Sequence, residues 1–170
     1  YRTIADARHR AVAGLSMGGY GAVYLPLARP DLFSAGASLS GAGLALLRVD
    51  GTDSTDGREA TSIEELHDAF ARQWDATKAE LGTDISVWRA YDPITIAEVS
   101  VRDHHPIPAL WLVVGTSDES TIGVNRAFDH TLARLKIPHT YIEAPGGHNG
   151  YFWRQHDAAA LVWLASQIAR

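Results

Sequence analysis

The chain has no cysteine and a single methionine among its 170 residues. Without cysteine there is no thiolate nucleophile, no Cys-based metal site and no disulfide; the compartment stays open, because many secreted proteins also lack bridges. Long apolar runs are missing too. None approaches the roughly 20 residues that cross a bilayer, and the opening YRTIADARHR has no signal-peptide stretch. Runs of like charge are absent and the formal net charge is -5, so nothing builds the basic face that nucleic acid or an anionic membrane would require. The expectation is a soluble chain, cytoplasmic or secreted, that binds no nucleic acid and spans no membrane. Its oligomeric state is not readable. An apolar content of 46% with 21% charge is ordinary for a globular domain.

What is there begins at Arg10. Residues 10–15 form a short apolar run that ends in glycine and serine, and the small and apolar residues from Gly18 to Ala28 suit a buried helix that Pro30 stops. FSAGASL, 33–39, has strand length. From Ala42 to about Arg58 periodicity disappears around DGTDSTDG, which predicts a mobile loop. Ser62 and Glu65 then match a capping box, and Ile63, Leu66, Phe70 and Trp74 recur at helical spacing up to Gly82. Irregular chain with a short helix is expected through Asp92-Pro93 to Val99. ALWLVV, 109–114, is too apolar to be half exposed and predicts a central strand of a parallel sheet. A helix over about 121–136, a strand at 140–144 and a helix at 151–169 complete the pattern. Alternation of this kind predicts an α/β fold, a mostly parallel sheet in three layers with helices on both faces and sites at the carboxyl ends of the strands.

Three strand ends carry polar residues. At the first, Gly14-Leu15-Ser16-Met17-Gly18 fits G-x-S-x-G, where a serine sits on a strained strand-to-helix turn and glycines avoid a collision of Cβ with the tight backbone. Chance alone yields that pattern in roughly one chain in twenty of this length. The alternative is a glycine-rich turn or phosphate cradle, which would want a lysine where Tyr20 stands. Gly19 and Gly21 would let the helix approach the sheet. At the second end Asp118 follows the apolar strand; alone it reads as a turn residue or helix cap. At the third, His148 follows a glycine pair, unlike the seven other histidines. Together they run in the chain order Ser, Asp, His, which assigns Ser16 as nucleophile, His148 as its base and Asp118 as the acid that orients the imidazole. Asp92, Asp103 and Asp129 lack a comparable preceding strand. The arrangement calls for no metal and no cofactor.

GLSMGGYGA (14–22), ARPDLFSAGASLSG (28–41), DPITIA (92–97), VVGTSDES (113–120) and IPHTYIEAPGGHNGYFW (137–153) resemble the putative esterase, or esterase D-like, branch of the α/β hydrolases over nearly the whole chain. That branch includes carbohydrate-ester and feruloyl esterases, tributyrin-type esterases, S-formylglutathione hydrolases and mycolyltransferases. The resemblance implies an α/β-hydrolase-type sheet, the same Ser16, Asp118 and His148, and the backbone amide of Met17 as an oxyanion-hole donor. It departs at Gly150, where many relatives carry an aromatic residue. It also implies a partial catalytic domain over 1–170, the C-terminal portion of a longer hydrolase, with the N-terminal strands and a second oxyanion donor lying outside this chain. Loss of one such donor typically costs about 3 to 4 kcal/mol of transition-state stabilisation, so the isolated piece is expected to be a poor and marginally stable enzyme.

The segment around 42–93 would overhang the nucleophile as a lid-like insertion. Leu44, Leu46, Leu47, Phe70, Trp74 and Trp88 are candidates to line an acyl or aromatic pocket, the alternative for Phe70 and Trp74 being the core face of an amphipathic helix. Tyr20 and Trp153 are candidates for substrate contact, with packing as the alternative. The expected activity is hydrolysis of a carboxylic ester, acyl and possibly carbohydrate-linked or aromatic, through an acyl-enzyme on Ser16. Acyl transfer of the mycolyltransferase-like type, and a non-catalytic binding or scaffold domain, are the alternatives.

Overall fold

In the computed structural model of the chain, residues 4–49, 57–70 and 74–168 are described. Four parallel strands, β1 (Ala11–Leu15), β2 (Ala35–Leu39), β5 (Ala109–Gly115) and β6 (His139–Ala144), lie side by side in that order. A pair of two-residue strands, β3 (Arg48–Val49) and β4 (Arg58–Glu59), stands apart as an antiparallel ladder. The helices are α1 (Met17–Ala28), α2 (Ile63–Phe70), α3 (Trp74–Leu81), α4 (Ile85–Tyr91), α5 (Pro93–Arg102), α6 (Ile122–Arg134) and α7 (Gly150–Ile168).

The pleat of β5 divides the core into two faces. Leu110 and Leu112 pack with Val23 and Leu27 of α1, Ile94 and Ala97 of α5, and Phe128 and Leu132 of α6. Trp111 and Val113 point the other way and meet Phe152, Ala160 and Leu164 of α7, together with Ala35, Ala37 and Leu39 of β2. Successive side chains of a strand must take opposite faces, so a run of large apolar residues in β5 forces helices onto both sides. The result is a three-layer arrangement of helices, parallel sheet and helix.

Close contact between α1 and the sheet comes from Gly19, as expected, and from Gly36 of β2, which was not. Pro26 sits inside α1 and lacks the N–H that would satisfy the carbonyl of Ala22. Gly36 of β2 lies against that carbonyl: a Cβ there would fall 1.9 Å from the Ala22 oxygen. Gly19 does the same at the next contact, its Cβ position lying 2.8 Å from both Gly41 Cα and Ser38 Oγ. Gly21 has nothing within 4 Å, so it is not what brings α1 to the sheet.

The segment after β2 also departs from expectation. Leu44, Ala45, Leu46 and Leu47 are all buried, so this part is packed rather than loose; the centre of the expected mobile loop, residues 50–56, lies outside the described residues. Leu47, Val49, Ala60, Leu66 and Trp88 form a third small core with Ile63, Trp74, Leu81 and Ile85 against it. Glu65 reaches back to the amide of Thr61 at 2.8 Å, one residue earlier than the expected pairing with Ser62. Asp92 is 1% exposed and caps α5, accepting from Thr95 N and Thr95 Oγ1 at 2.8 Å each, while its other oxygen takes the Leu46 N–H at 2.8 Å. A single carboxylate thus ties the two ends of the 42–93 segment to each other and to the start of α5.

Candidate active site

Ser16 follows β1 directly and adopts φ 54° and ψ -121°, an outlier for a residue with a side chain. Its N–H is bonded to Leu39 O at 3.0 Å, and its own carbonyl accepts from Tyr20 N and Ala42 N, both at 3.1 Å. The turn is therefore held from β2 as well as from α1. Gly14 makes it possible: a Cβ there would lie 2.0 Å from Gly18 O. Gly18 itself is unconstrained, with nothing within 4 Å, so only the first glycine of the pair answers to the expected collision.

A serine at a helix N-cap ordinarily accepts a hydrogen bond from an amide of the first turn. Ser16 is the N-cap residue of α1, yet its side chain makes no capping bond. Its hydroxyl instead lies 2.8 Å from Nε2 of His148. The other ring nitrogen, Nδ1, is 2.8 Å from Oδ2 of Asp118. A carboxylate at Nδ1 fixes the proton there, which leaves Nε2 as the acceptor of the Ser16 O–H.

Asp118 has a wholly buried side chain. Ser120 Oγ donates to Oδ1 at 2.7 Å and Thr121 N at 3.1 Å, while Thr121 Oγ1 donates to Oδ2 at 2.7 Å. Burial pushes this carboxyl up, but the bonds from Ser120, Thr121 and His148 outweigh it and hold Asp118 below its ordinary value. The turn role weighed for Asp118 and its contact with His148 coexist, because different lone pairs serve each.

His148 owes its place to glycines at two strand ends. A Cβ on Gly115 would fall 2.3 Å from Gly146 O, and that same oxygen accepts from Ser117 N at 2.8 Å, so the loops after β5 and β6 lie flat on one another. Asn149 then caps α7, its Oδ1 accepting from Tyr151 N at 3.0 Å and Phe152 N at 3.1 Å.

The remaining site candidates fall in different places. Met17 is the first residue of α1, where its N–H has no intrahelical acceptor; its side chain is 61% exposed instead of packed. Trp153 stands edge-on to the His148 ring, centroids 5.1 Å apart at 86°. Tyr20 donates its hydroxyl to Tyr91 O at 2.7 Å and stacks on Tyr24, which stacks on Tyr91; burial pushes its phenol up. Leu44 belongs to the main core, and Leu47 and Trp88 to the small third one with Trp74 packed against it, so for Trp74 the core alternative is the one the packing follows and for the others the pocket expectation gives way to a core. Leu46 is likewise buried, and the side chain of Phe70 lies outside the described residues. Gly150 opens α7 with no atom within 4 Å of a Cβ position. Among the described residues no three His, Cys, Asp or Glu side chains gather to hold a metal ion, and no helix is long and apolar enough to cross a membrane.

The family model described as Putative esterase matches residues 1–164. The chain belongs to that esterase family. Solved structures agree on the fold: an S-formylglutathione hydrolase from Agrobacterium tumefaciens has a TM-score of 0.70 at 22% identity, with 96% of this chain covering 50% of that one. The S-formylglutathione hydrolase FrmB from Staphylococcus aureus gives 0.65 at 21%, covering 99% and 54%. FphF, a fluorophosphonate-binding serine hydrolase of the same organism, gives 0.65 at 22%, covering 99% and 57%. A search of curated proteins found no match. This esterase-family chain thus has the α/β-hydrolase fold and spans about half the length of the solved structures that it matches. Thr121, Ser120, Ser40 and Asn125, all around Asp118, were not singled out from sequence. The available signal was spacing alone, since Thr121 and Asn125 lie four apart and so share a helix face.

Proposed function

We propose that this chain carries the reacting groups of a serine esterase that hydrolyses carboxylic esters through an acyl-enzyme on Ser16. The observation that carries the reading is the unbroken relay from Ser16 Oγ through His148 to Asp118, two bonds of 2.8 Å each, built on a serine that forgoes its capping bond. As Ser16 Oγ forms a bond to the ester carbonyl carbon, its proton passes to His148 Nε2, and Asp118 stabilises the imidazolium. The negative oxygen so formed faces the free N–H of Met17 at the start of α1, where the helix dipole also favours it. Collapse breaks the C–O bond to the leaving alkoxide, which takes the proton from His148. Water then repeats the sequence, its proton going to His148 and returning to Ser16 as the carboxylic acid departs.

Trp153 beside His148 and Tyr20 one turn beyond Ser16 are proposed to flank the acyl group. The 42–93 segment is proposed as the lid, supported by its two attachments, Ala42 N to Ser16 O and Tyr91 O to Tyr20. Half-burial of Ser16 keeps it reachable. Aromatic and thioester-type acyl groups are the first substrates to try, given the names of the structural neighbours, which include ferulic acid esterase and S-formylglutathione hydrolases.

The test is turnover of p-nitrophenyl acetate and a feruloyl ester by the expressed protein, with products analysed in the presence and absence of an alcohol acceptor. Free acid as the main product in both supports hydrolysis; the acyl group appearing mainly on the added alcohol would move the assignment to transfer. No turnover of any ester by a folded protein would favour a binding domain.

A further inference from the structure

We propose that Asn125 is a positioning residue, holding the turn that carries Asp118 in register with the turn that carries Ser16; the inference rests on the serine esterase reading above. Ser16 and Asp118 follow β1 and β5, which are not neighbours, because β2 runs between them. Their separation therefore depends on the turn at the end of β2, residues 40–42. Asn125 lies in α6 with no exposed surface. Its Nδ2 donates to Gly41 O and to Thr121 O, each at 2.8 Å. Both partners are carbonyl acceptors, so the amide has one workable orientation.

One arm thus reaches Thr121, whose N–H and hydroxyl both donate to Asp118. The other reaches Gly41, 84 positions away in sequence. The next residue, Ala42, gives its N–H to the carbonyl of Ser16 at 3.1 Å. Gly41 has no slack, since its Cα lies 2.8 Å from where a Gly19 Cβ would stand. Asn125 pays for this placement in packing terms, because its Oδ1 is buried without a partner. An acceptor left so is destabilising, and a helix face that served only the core would carry an apolar residue there, as it does at Phe128 and Leu132.

The experiment uses the expressed protein with Asn125→Asp, which keeps the shape but turns acceptors toward two carbonyls, and Asn125→Leu, which removes the bonds. Thr131→Val, buried further along the same helix, controls for general destabilisation. A relay of two 2.8 Å bonds tolerates little displacement, and a misplacement of about 1 Å costs on the order of 100-fold. The expected result is a fall of roughly 10- to 100-fold in kcat for p-nitrophenyl acetate and in the rate of Ser16 labelling by a fluorophosphonate, with KM within about twofold. Melting should stay cooperative, and Thr131→Val should lose stability without that split. Wild-type labelling with unchanged kcat in either Asn125 variant would overturn the proposal and leave the esterase reading standing. Failure of both variants to fold would make Asn125 a folding residue and overturn it equally. Absence of labelling in the wild type would instead sink the esterase reading, and this proposal with it.

Discussion

Replacing Gly14 by alanine tests whether the nucleophile turn is built as described. The added Cβ would stand 2.0 Å from Gly18 O, 2.3 Å from Gly18 C and 2.9 Å from Gly18 Cα. A carbon and a carbonyl oxygen in contact sit at roughly 3.3 Å or more, so the gap must open by more than 1 Å. Every atom in the way is backbone, and no side chain can swing aside. Either the end of β1 or the first turn of α1 has to move, and Ser16 lies between them. Overpacking of this kind costs about 1 to 3 kcal/mol of stability. A displacement of about 1 Å at a reacting group costs on the order of 100-fold in rate, equivalent to about 2.7 kcal/mol of barrier. Gly18→Ala is the internal control: its Cβ meets nothing within 4 Å, and alanine within a helix is favoured over glycine by up to about 1 kcal/mol. The assay is the labelling rate of Ser16 together with the thermal midpoint for both variants. Gly14→Ala within twofold of wild type, or Gly18→Ala as damaged as Gly14→Ala, would refute the steric account of the turn.

Gly36→Ala should separate α1 from the sheet, because its Cβ would lie 1.9 Å from Ala22 O; a loss of about 3 kcal/mol or more in denaturant unfolding is expected, and a neutral result contradicts the packing of α1 on β2. Asp92→Ala strands the buried amide of Leu46 and uncaps α5, which should cost about 2 to 4 kcal/mol with the slope of the denaturant curve unchanged. Asp118 titrates below its ordinary 3.8 in the fold. Its bonds therefore contribute stability that is complete above that value and is lost as pH falls through the lowered one. Urea melts taken downward from pH 5 should show this loss in the wild type and a flatter dependence in Asp118→Asn.

β1, β2 and β5 were legible because each is a short apolar run closed by glycine or by a polar residue, and β5 announced its burial by having no polar face; β6, with His139, Thr140 and Glu143 in it, showed only as a short stretch before Pro145 and the glycine pair. α6 and α7 followed from the same reasoning to within a residue or two. The 42–93 segment was read worst. Periodicity along one helix shows which residues share a face, not what covers that face, so Trp74 could be assigned to a core only by analogy and Trp88 only to a pocket, whereas the packing puts both in a core. Asp92 was weighed as a rival acid when its work is to cap α5 and hold Leu46, a contact across 46 positions that spacing does not reveal. Among the glycines, sequence assigned 14 and 18 to the turn and 19 and 21 to the approach of the helix, whereas steric need singles out one of each pair, 14 and 19, and adds 36. Ser16, Asp118 and His148 were legible together because chain order and strand-end position constrain one another. Asn125 was hidden, since a lone polar residue within an apolar stripe shows its partners only once β2 and α6 are brought together.

Fluorophosphonate labelling of the expressed protein, with the modified residue located by mass spectrometry, reaches the central claim most directly. The account predicts a single adduct on Ser16 in the wild type and none in Ser16→Ala or His148→Ala, all three folded by circular dichroism. An adduct on another residue, full labelling that survives His148→Ala, or a folded wild type that takes no label would contradict it.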